Sequence, residues 1–300
     1  ASLPTIISAH KLLRDEDGKL RRLATRYSLE PHTGTSKIVL NYGRVTAYAQ
    51  TDGVATVQAA ALSDTQSTYT PSDVAARLIL AGTTMRRIAD PDLLRRSGEM
   101  LENAYALKED QDGTAQFSSF TNSVGAANTV IGVGSQAAAA SRLMVGNSAA
   151  NPEPAPQPWY STYHPFSLHA VLARLVPLSS IPSGASAYSV TANGETIAAG
   201  AGGALSDEIL RKWRVKELAG VPVIPEANIN VDSSADAPNA MFSKEGLIYI
   251  SEVEPRLATQ KDANMRDGIE AVYWGSYGWG VYRPSAYGVG IVGDATAPTA

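Results

Sequence analysis

Two of the four histidines in this chain, His164 and His169, lie in the stretch TYHPFSLHAVLARL. Histidine is the side chain best suited to metal binding and to acid–base chemistry near neutral pH. Metal-binding histidine pairs on one helix are typically four residues apart, as in H-E-x-x-H, whereas these two are five apart. Their spacing therefore favours structural roles for both histidines over metal binding.

The local sequence indicates what those structural roles are. Pro165 disfavours helical backbone at the residue before it and suits the first position of a helix, so His164 is predicted to end a strand or cap a helix. An apolar stripe at helical spacing follows, and Val176-Pro177 stops the helix. His169 flanks this stripe, which consists of Leu168, Val171, Leu172 and Leu175.

Patterns for other chemistries do not occur. The sequence contains neither G-x-S-x-G nor G-x-x-x-x-G-K-[ST], although Ser135 and Ser276 each follow a glycine. His10 and His32 stand alone among charged or turn residues. The acidic runs LRDEDGK and LKEDQDG have no spaced histidine and no calcium-loop pattern, so both are predicted to be solvated helix ends. We predict no catalytic residue, no metal site and no cofactor.

The sequence contains the glycine pattern of a dinucleotide-binding fingerprint but lacks the strand that should follow it. Gly132, Gly134 and Ala137 match G-x-G-x-x-A, which functions only within a strand–helix–strand unit that carries an acidic ribose partner. The partner position falls in NPEPAPQPW, whose prolines forbid a central strand. The segment is predicted to be an Ala-rich helix after a Gly-rich turn.

Composition limits the possible classes of protein. The chain has 300 residues, no cysteine and a formal net charge of −4. These values exclude disulfides and thiolate chemistry, and they argue against a dedicated nucleic-acid binder. No apolar run reaches the roughly 20 residues of a membrane helix, and no secretory pattern is present, so we expect a soluble protein made in the cytosol. The small residue Ala1 is compatible with loss of an initiator Met or of a longer leader.

The N-terminal third reads as an arm followed by a hairpin. Residues 11–26 are strongly charged and are predicted to form an arm, not core. The segment TSKIVLNYGRVTAYAQTDGVATVQAAA alternates β-formers with turn residues, and Asp52-Gly53 lies where a hairpin turn is needed. Such a hairpin cannot bury a core alone, so it must lie on a partner surface.

A long helix and a long strand are predicted to form the central core. Asp90 caps the helix, Pro91 occupies its first position, and the helix is expected to end near Gly113. Its predicted apolar stripe is Leu93, Ser97, Met100, Leu101, Ala104 and Leu107. The predicted strand near the C-terminus places Tyr273, Tyr277, Trp279 and Val281 on one face and Val272, Trp274 and Tyr282 on the other.

The Pro-rich segment 151–158 is a stiff connector and the best candidate boundary between units. A second unit is predicted to begin at Trp159. It contains a small-residue run from Pro182 to Gly203 and a strand pair around Gly220. A short helix opened by Ser206 and an exposed loop, DSSADAP, complete it.

In this order, the elements resemble the major capsid proteins of tailed bacteriophages, which have the Hong Kong 97-like (Johnson) fold. The resemblance covers most of the chain, and order, spacing and position relative to the C-terminus all match. The segments that carry it are ADPDLLRRSGEMLENAYALKEDQDG, YHPFSLHAVL, LSDEILRKWRVKELAGVPVIPEANIN, AMFSKEGLIYISEVEPRLATQKD and VYRPSAYGVGI.

The resemblance implies an α+β fold with an N-terminal arm, an E-loop hairpin, a peripheral domain containing a spine helix, and an axial domain. Mapped onto this chain, the arm is at 1–33, the E-loop hairpin at 34–80 and the axial domain at 151–243. The peripheral domain combines a first segment at 81–150, with the spine helix at 91–112, and a second segment at 244–300, which includes the C-terminal strand.

The implied function is structural: hexamers and pentamers that form an icosahedral shell around packaged double-stranded DNA. The implied location is the virion capsid, after synthesis and assembly in the host cytoplasm. Implied partners are further copies of the chain, a separate scaffolding protein, a portal and a decoration protein, with no membrane. Lys37 is the lone lysine near the hairpin, and we do not predict a covalent crosslink there. Candidate contacts between subunits are Lys37, Tyr42, Arg44, Arg256 and Arg283.

Two alternatives stay open at this point. An encapsulin-like nanocompartment shell shares the implied fold but encloses a cargo enzyme, and neighbouring genes would separate the two. A soluble enzyme using His164 belongs to a different class. An activity that is lost in His164→Ala while assembly stays intact would favour it.

Overall fold

The computed structural model describes residues 20–29, 36–43, 64–82, 93–146, 152–175, 189–192, 195–198, 215–262 and 268–298. Helices and strands both contribute to its layers, which confirms the predicted α+β class. Among the described helices, none is long and apolar enough to cross a lipid bilayer. The α-helices are α1 (Leu20–Leu23), α2 (Leu93–Ala115), α3 (Val133–Val145) and α4 (Pro165–Leu175). The strands are β1 (Thr25–Ser28), β2 (Lys37–Tyr42), β3 (Asp64–Tyr69), β4 (Ser72–Leu80), β5 (Asn122–Gly125), β6 (Trp159–Tyr163), β7 (Ser189–Ala192), β8 (Glu195–Ala198), β9 (Glu217–Leu218), β10 (Val221–Pro225), β11 (Asp236–Ser243), β12 (Leu247–Asp262), β13 (Gly268–Val281) and β14 (Gly288–Asp294).

A four-stranded sheet in the order β1-β12-β13-β4 carries α2 on one face. Tyr273 and Tyr277 of β13 lie against Tyr105 of α2, with ring centroids 5.3 and 5.7 Å apart. Trp274 lies on the opposite face, where the Arg256 guanidinium sits 4.3 Å from its ring centroid. The predicted division of β13 into two faces is therefore confirmed.

The long helix occupies Leu93–Ala115, close to the predicted 91–112. Ser97, Leu101 and Tyr105 are buried, but Met100 is 54% exposed and Ala104 is also exposed, so including Met100 and Ala104 in the apolar stripe was wrong. Successive residues turn by about 100° around a helix, and residues four apart define the buried line, which places Met100 to its side. The predicted cap, Asp90-Pro91, lies outside the described residues.

The N-terminal segment is partly core, which corrects the prediction of an arm over residues 1–33. Leu20 is fully buried, and Ala24 is 2% exposed. The following strand β1 pairs in parallel with β12, beginning at Thr25↔Ile248. Leu20, Leu23 and Ala24 give the single helical turn one apolar side, which the many surrounding charges conceal. Residues 1–19 lie outside the described residues.

The predicted hairpin is present where it is described. Strands β2 and β3 are antiparallel from Lys37↔Tyr69 to Tyr42↔Asp64, while the predicted turn at Asp52-Gly53 lies outside the described residues. Strand β4, in the same predicted segment 34–80, instead pairs with β13 and completes the four-stranded sheet. The hairpin proper is thus shorter than that segment.

A second sheet has six strands in the order β5-β14-β11-β6-β10-β9. It combines strands of the predicted axial segment, 151–243, with β5 and β14 from the two predicted peripheral segments. The sheets therefore do not divide at the predicted boundaries. The cause is non-local: β11 is almost fully buried, so it needs a hydrogen-bonded strand on each side, and the C-terminal strand β14 supplies one of them.

The Ala-rich helix predicted after Gly132 is confirmed as α3. Its Gln136 is fully buried and accepts hydrogen bonds from Ser161 Oγ at 3.0 Å and Tyr163 Oη at 2.6 Å. The next strand, β6, is separated from β5 by β14 and β11. Within the described residues, no adjacent parallel strand returns from α3, as a dinucleotide-binding unit would require.

The predicted joint at His164 is confirmed as the junction of β6 and α4. Its backbone N–H donates to Asn239 Oδ1 at 2.6 Å, and its Nδ1 accepts the Phe166 N–H at 3.3 Å, as a helix cap does. The buried side of α4 contains Leu168, Val171 and Leu172.

The remaining loop predictions had mixed outcomes. The strand pair around Gly220 is confirmed as β9 and β10. The exposed loop DSSADAP ends earlier than predicted, because Asp236 already belongs to β11 and is buried. The helix predicted at Ser206 and most of the small-residue run lie outside the described residues. The described part of the run forms the antiparallel strand pair β7–β8.

Candidate functional site

One face of the hairpin exposes a row of large apolar side chains. Ile38, Leu40 and Tyr42 alternate along β2 and are 52%, 43% and 56% exposed. Alternate residues of a strand point to the same side, so the three form one continuous row, which we call the hairpin stripe. Single exposed apolar residues are ordinary, but a contiguous row marks an interaction surface.

The opposite face of the hairpin is anchored to the four-stranded sheet. Val39 and Tyr69 pack against Ile248 and Ile250 of β12, and Tyr69 Oη donates to the Val281 carbonyl at 2.8 Å. A rigid root on one face leaves the hairpin stripe directed away from the body.

Strand β3 contributes polar residues beside the stripe. Thr68, Gln66 and Asp64 lie opposite Ile38, Leu40 and Tyr42 respectively in the antiparallel register, and Gln66 and Asp64 are exposed. The surface thus has an apolar row with a polar border, which is the composition of a protein–protein contact.

The structure brings two of the five candidate contact residues together. Arg283 Nη2 donates to the Tyr42 carbonyl at 3.0 Å. Lys37, at the other end of β2, places its ammonium 5.6 Å from the Tyr27 ring centroid. Arg44 lies outside the described residues. The predicted role of these residues in contacts between subunits stays a prediction.

Arg256 is remote from the other candidates. Arg256 pairs with Trp274 in the sheet. It lies nine residues along β12 from Leu247, which pairs with Val281 at the hairpin end of the sheet, and nine residues at strand spacing span about 30 Å. The hairpin surface and the Arg256 surface are therefore separate. Ile38 and Leu40 were missed in the sequence, although the alternation in KIVLNY is a signal that identifies them.

The acidic end of α2 is buried, which corrects its prediction as a solvated helix end. Asp110 is 2% exposed, and its Oδ1 accepts the Leu20 N–H at 3.1 Å. Its Oδ2 accepts a hydrogen bond from Asn228 Nδ2 at 2.9 Å. Asp112 Oδ2 likewise accepts Tyr277 Oη at 2.9 Å. The carboxylates hold the N-terminal segment and β13 against α2, so the cluster is structural.

Arg21 closes this cluster. It lies 3.7 Å from Glu109 and 2.8 Å from Glu254, and its guanidinium sits 4.9 Å from the Tyr249 ring centroid. Burial raises the pKa of Glu109, and the hydrogen bond with Tyr249 and the neighbouring Arg21 charge offset that rise only partially. Burying a charge without full compensation costs stability.

We predict that Glu109→Gln changes how stability depends on pH. Because the pKa of Glu109 is higher in the folded chain than its ordinary 4.5, its stabilising contribution is complete below pH 4.5 and is lost as pH rises through the folded pKa. The melting temperature of the variant minus that of the unsubstituted chain should therefore increase as pH rises.

Thermal melts at several pH values test this, with Glu102→Gln at an exposed position of α2 as the control for loss of one negative charge. A melting-temperature difference for Glu109→Gln that is constant with pH would contradict the prediction.

No group of three or more histidine or acidic side chains is placed to hold a metal ion in the portion of the chain that the structure describes. His164 is 8% exposed and serves as the helix cap described above. Among the described residues, the hairpin stripe is the candidate functional surface, because it is suited to contact another protein.

No protein-family model matches the chain, and no curated protein matches it in sequence.

Solved structures match it over almost its whole length. The structure of Mycobacterium phage Che8 is 14% identical with a TM-score of 0.67, and the match covers 99% of this chain and 98% of that chain. The capsid structure of the cyanophage P-SCSP1u is 11% identical with a TM-score of 0.66, covering 96% and 92%. The head structure of Helicobacter pylori bacteriophage KHP40 is 10% identical with a TM-score of 0.68, covering 95% and 94%. The chain therefore has the α+β Hong Kong 97-like fold of these phage capsid and head structures.

Proposed function

We propose that this chain is a major capsid protein that self-assembles as hexamers and pentamers into an icosahedral shell enclosing packaged double-stranded DNA. The observation that carries the proposal is the extent of the structural match. Capsid and head structures of several phages align with 95% or more of this chain and with 92% or more of their own. The match therefore extends over almost the whole chain.

The hairpin stripe supports the proposal physically. A two-stranded hairpin is marginally stable alone, and this one presents half-exposed Ile38, Leu40 and Tyr42 to solvent. A neighbouring copy that covers the stripe would remove this apolar surface from water. Closed symmetric assemblies satisfy such a surface on every subunit at once.

The net charge is also consistent with a container for DNA. With a formal charge of −4, the chain lacks the cationic excess that would bind phosphates tightly. Walls close to neutral leave packaged DNA mobile. The role is architectural and needs neither a catalytic residue nor a cofactor.

The remaining partners follow from the proposed role. We place the protein in the virion capsid after assembly in the host cytoplasm, and we propose a separate scaffolding protein, a portal and a decoration protein as its partners.

Sedimentation velocity of the purified full chain tests the proposal. Capsomers of five or six 31.6 kDa subunits, or much larger shells, are expected as protein concentration and ionic strength are varied. A 31.6 kDa monomer under every condition would overturn it.

A further inference from the structure

Arg283 connects three regions of the molecule that are distant in sequence. It lies in the turn between β13 and β14, with a backbone φ of +47°. Its Nη2 donates to the Tyr42 carbonyl at the end of β2 at 3.0 Å, and its Nη1 pairs with the Glu153 carboxylate of the Pro-rich connector. A non-glycine residue in the left-handed region carries a conformational cost, so the surrounding structure must hold it there.

Both the turn and the connector are fixed to the body. In the turn, the Pro284 carbonyl accepts the Thr121 N–H at 3.1 Å, and the Arg283 carbonyl accepts the Ala286 N–H at 2.9 Å. In the connector, the Glu153 N–H donates to the Val145 carbonyl at the end of α3 at 2.8 Å. The guanidinium is further held 5.7 Å from the ring centroids of both Tyr282 and Tyr287. Arg283 thus reaches the hairpin from a rigid base.

The hairpin has room to move on the side that Arg283 spans. A cavity of about 700 Å³ separates Asn41 and Thr65 of the hairpin from Pro152 and Pro154 of the connector. On the far side, Tyr69 is bound to the Val281 carbonyl and buried among β12 side chains. Tyr69 therefore provides a fixed pivot, and the Arg283 contact with Tyr42 bridges the open side.

We propose that Arg283 is a latch that sets the angle of the β2–β3 hairpin to the body, and that breaking its contacts with Tyr42 and Glu153 lets the hairpin pivot about Tyr69 into the cavity. The Arg283 and Glu153 side chains are 24% and 38% exposed, so salt screens their attraction and biases the latch towards release. The inference concerns contacts within one chain and does not depend on the proposed assembly.

Double electron–electron resonance measures the hairpin angle directly. Because the chain has no cysteine, Gln66→Cys on the hairpin and Met144→Cys on α3 place two labels at exposed positions without competing thiols. The labelled full chain is diluted with unlabelled chain, so that only distances within one subunit contribute. A single distance peak is expected at low salt.

In Arg283→Ala, more than half of the molecules are expected to leave that distance and to contribute to a second peak or to a broader distribution. Arg283→Lys keeps the charge but lacks the planar fork, so it should fall between the two. The control is Arg256→Ala, which removes an exposed arginine from the remote sheet face and should leave the peak unchanged. An unaltered distance distribution in folded Arg283→Ala overturns the latch.

If Arg283→Ala does not fold, salt titration of the labelled, otherwise unsubstituted chain decides the question. A second distance that grows with salt supports the latch, and a distribution that does not change with salt overturns it.

Discussion

Replacing Ile38, Leu40 and Tyr42 together with serine is expected to abolish shell assembly while the subunit remains folded. The three side chains are about half exposed in the single chain and make up the hairpin stripe. Full burial of one such side chain stabilises by about 1.5–3 kcal/mol, so covering the exposed half contributes roughly 1 kcal/mol each. The loss of about 3 kcal/mol per contact lowers its association constant by roughly a hundredfold, and every subunit of a shell repeats the loss.

The measurement is static light scattering of the triple variant under conditions in which the unsubstituted chain assembles. Gln66→Ser is the matched control, because Gln66 lies opposite Leu40 on the same exposed face but contributes no large apolar surface. Circular dichroism checks that the fold is intact. Assembly of the triple variant at the unsubstituted level would show that the stripe is not an interface.

The second large effect is expected for Gly288→Ala. A Cβ at this position would lie 1.8 Å from Phe120 Cε1 and 2.1 Å from Cδ1. The Phe120 ring is stacked on Phe242 and 5% exposed, so it has little space to move away. Strand β14 is hydrogen-bonded on both sides, to β11 and β5, so its backbone is equally constrained.

Overpacking of this kind costs about 1–3 kcal/mol and occasionally more, and so tight a clash belongs at the upper end. For a chain of this size we expect the melting temperature to fall by about 5 °C. Gly290→Ala is the matched control, since it lies two residues further along the same strand and its nearest neighbours would be 3.7 Å away.

Phe120→Leu in the Gly288→Ala background separates the clash from other causes. Removing the ring should restore some of the lost stability, even though Phe120→Leu alone is destabilising. A Gly288→Ala variant that melts like the unsubstituted chain would contradict the close packing of β14 against Phe120.

Local periodicity predicted the elements whose packing it governs. The two faces of β13 and the strand-to-helix joint at His164 follow from alternation, helical spacing and a single proline. The long helix α2 was predicted within a few residues at each end. Met100 was misassigned because helical spacing alone does not show which of two neighbouring rows of side chains faces the sheet.

Long-range pairing could not be predicted in the same way. The C-terminal strand β14 enters the six-stranded sheet between β5 and β11, and no local pattern encodes that order. Buried charge was missed for a related reason. Asp110 looks solvated in an acidic run, and its burial depends on Leu20, which lies 90 residues away in sequence.

The candidate site was only partially predicted. Tyr42 and Arg283 are in direct contact within one chain, which their assignment as candidate contacts between subunits did not predict. The hairpin was predicted only as a whole that cannot bury a core alone, and the apolar residues of β2, which alternate onto one face, were not singled out.

Cryo-electron microscopy of particles assembled from the purified full chain tests the central claim most directly. We expect closed icosahedral shells in which every subunit of the hexamers and pentamers fits the present fold, with density from a neighbouring copy covering Ile38, Leu40 and Tyr42. Dispersed 31.6 kDa subunits, or closed particles in which the hairpin stripe remains exposed to solvent, would contradict it.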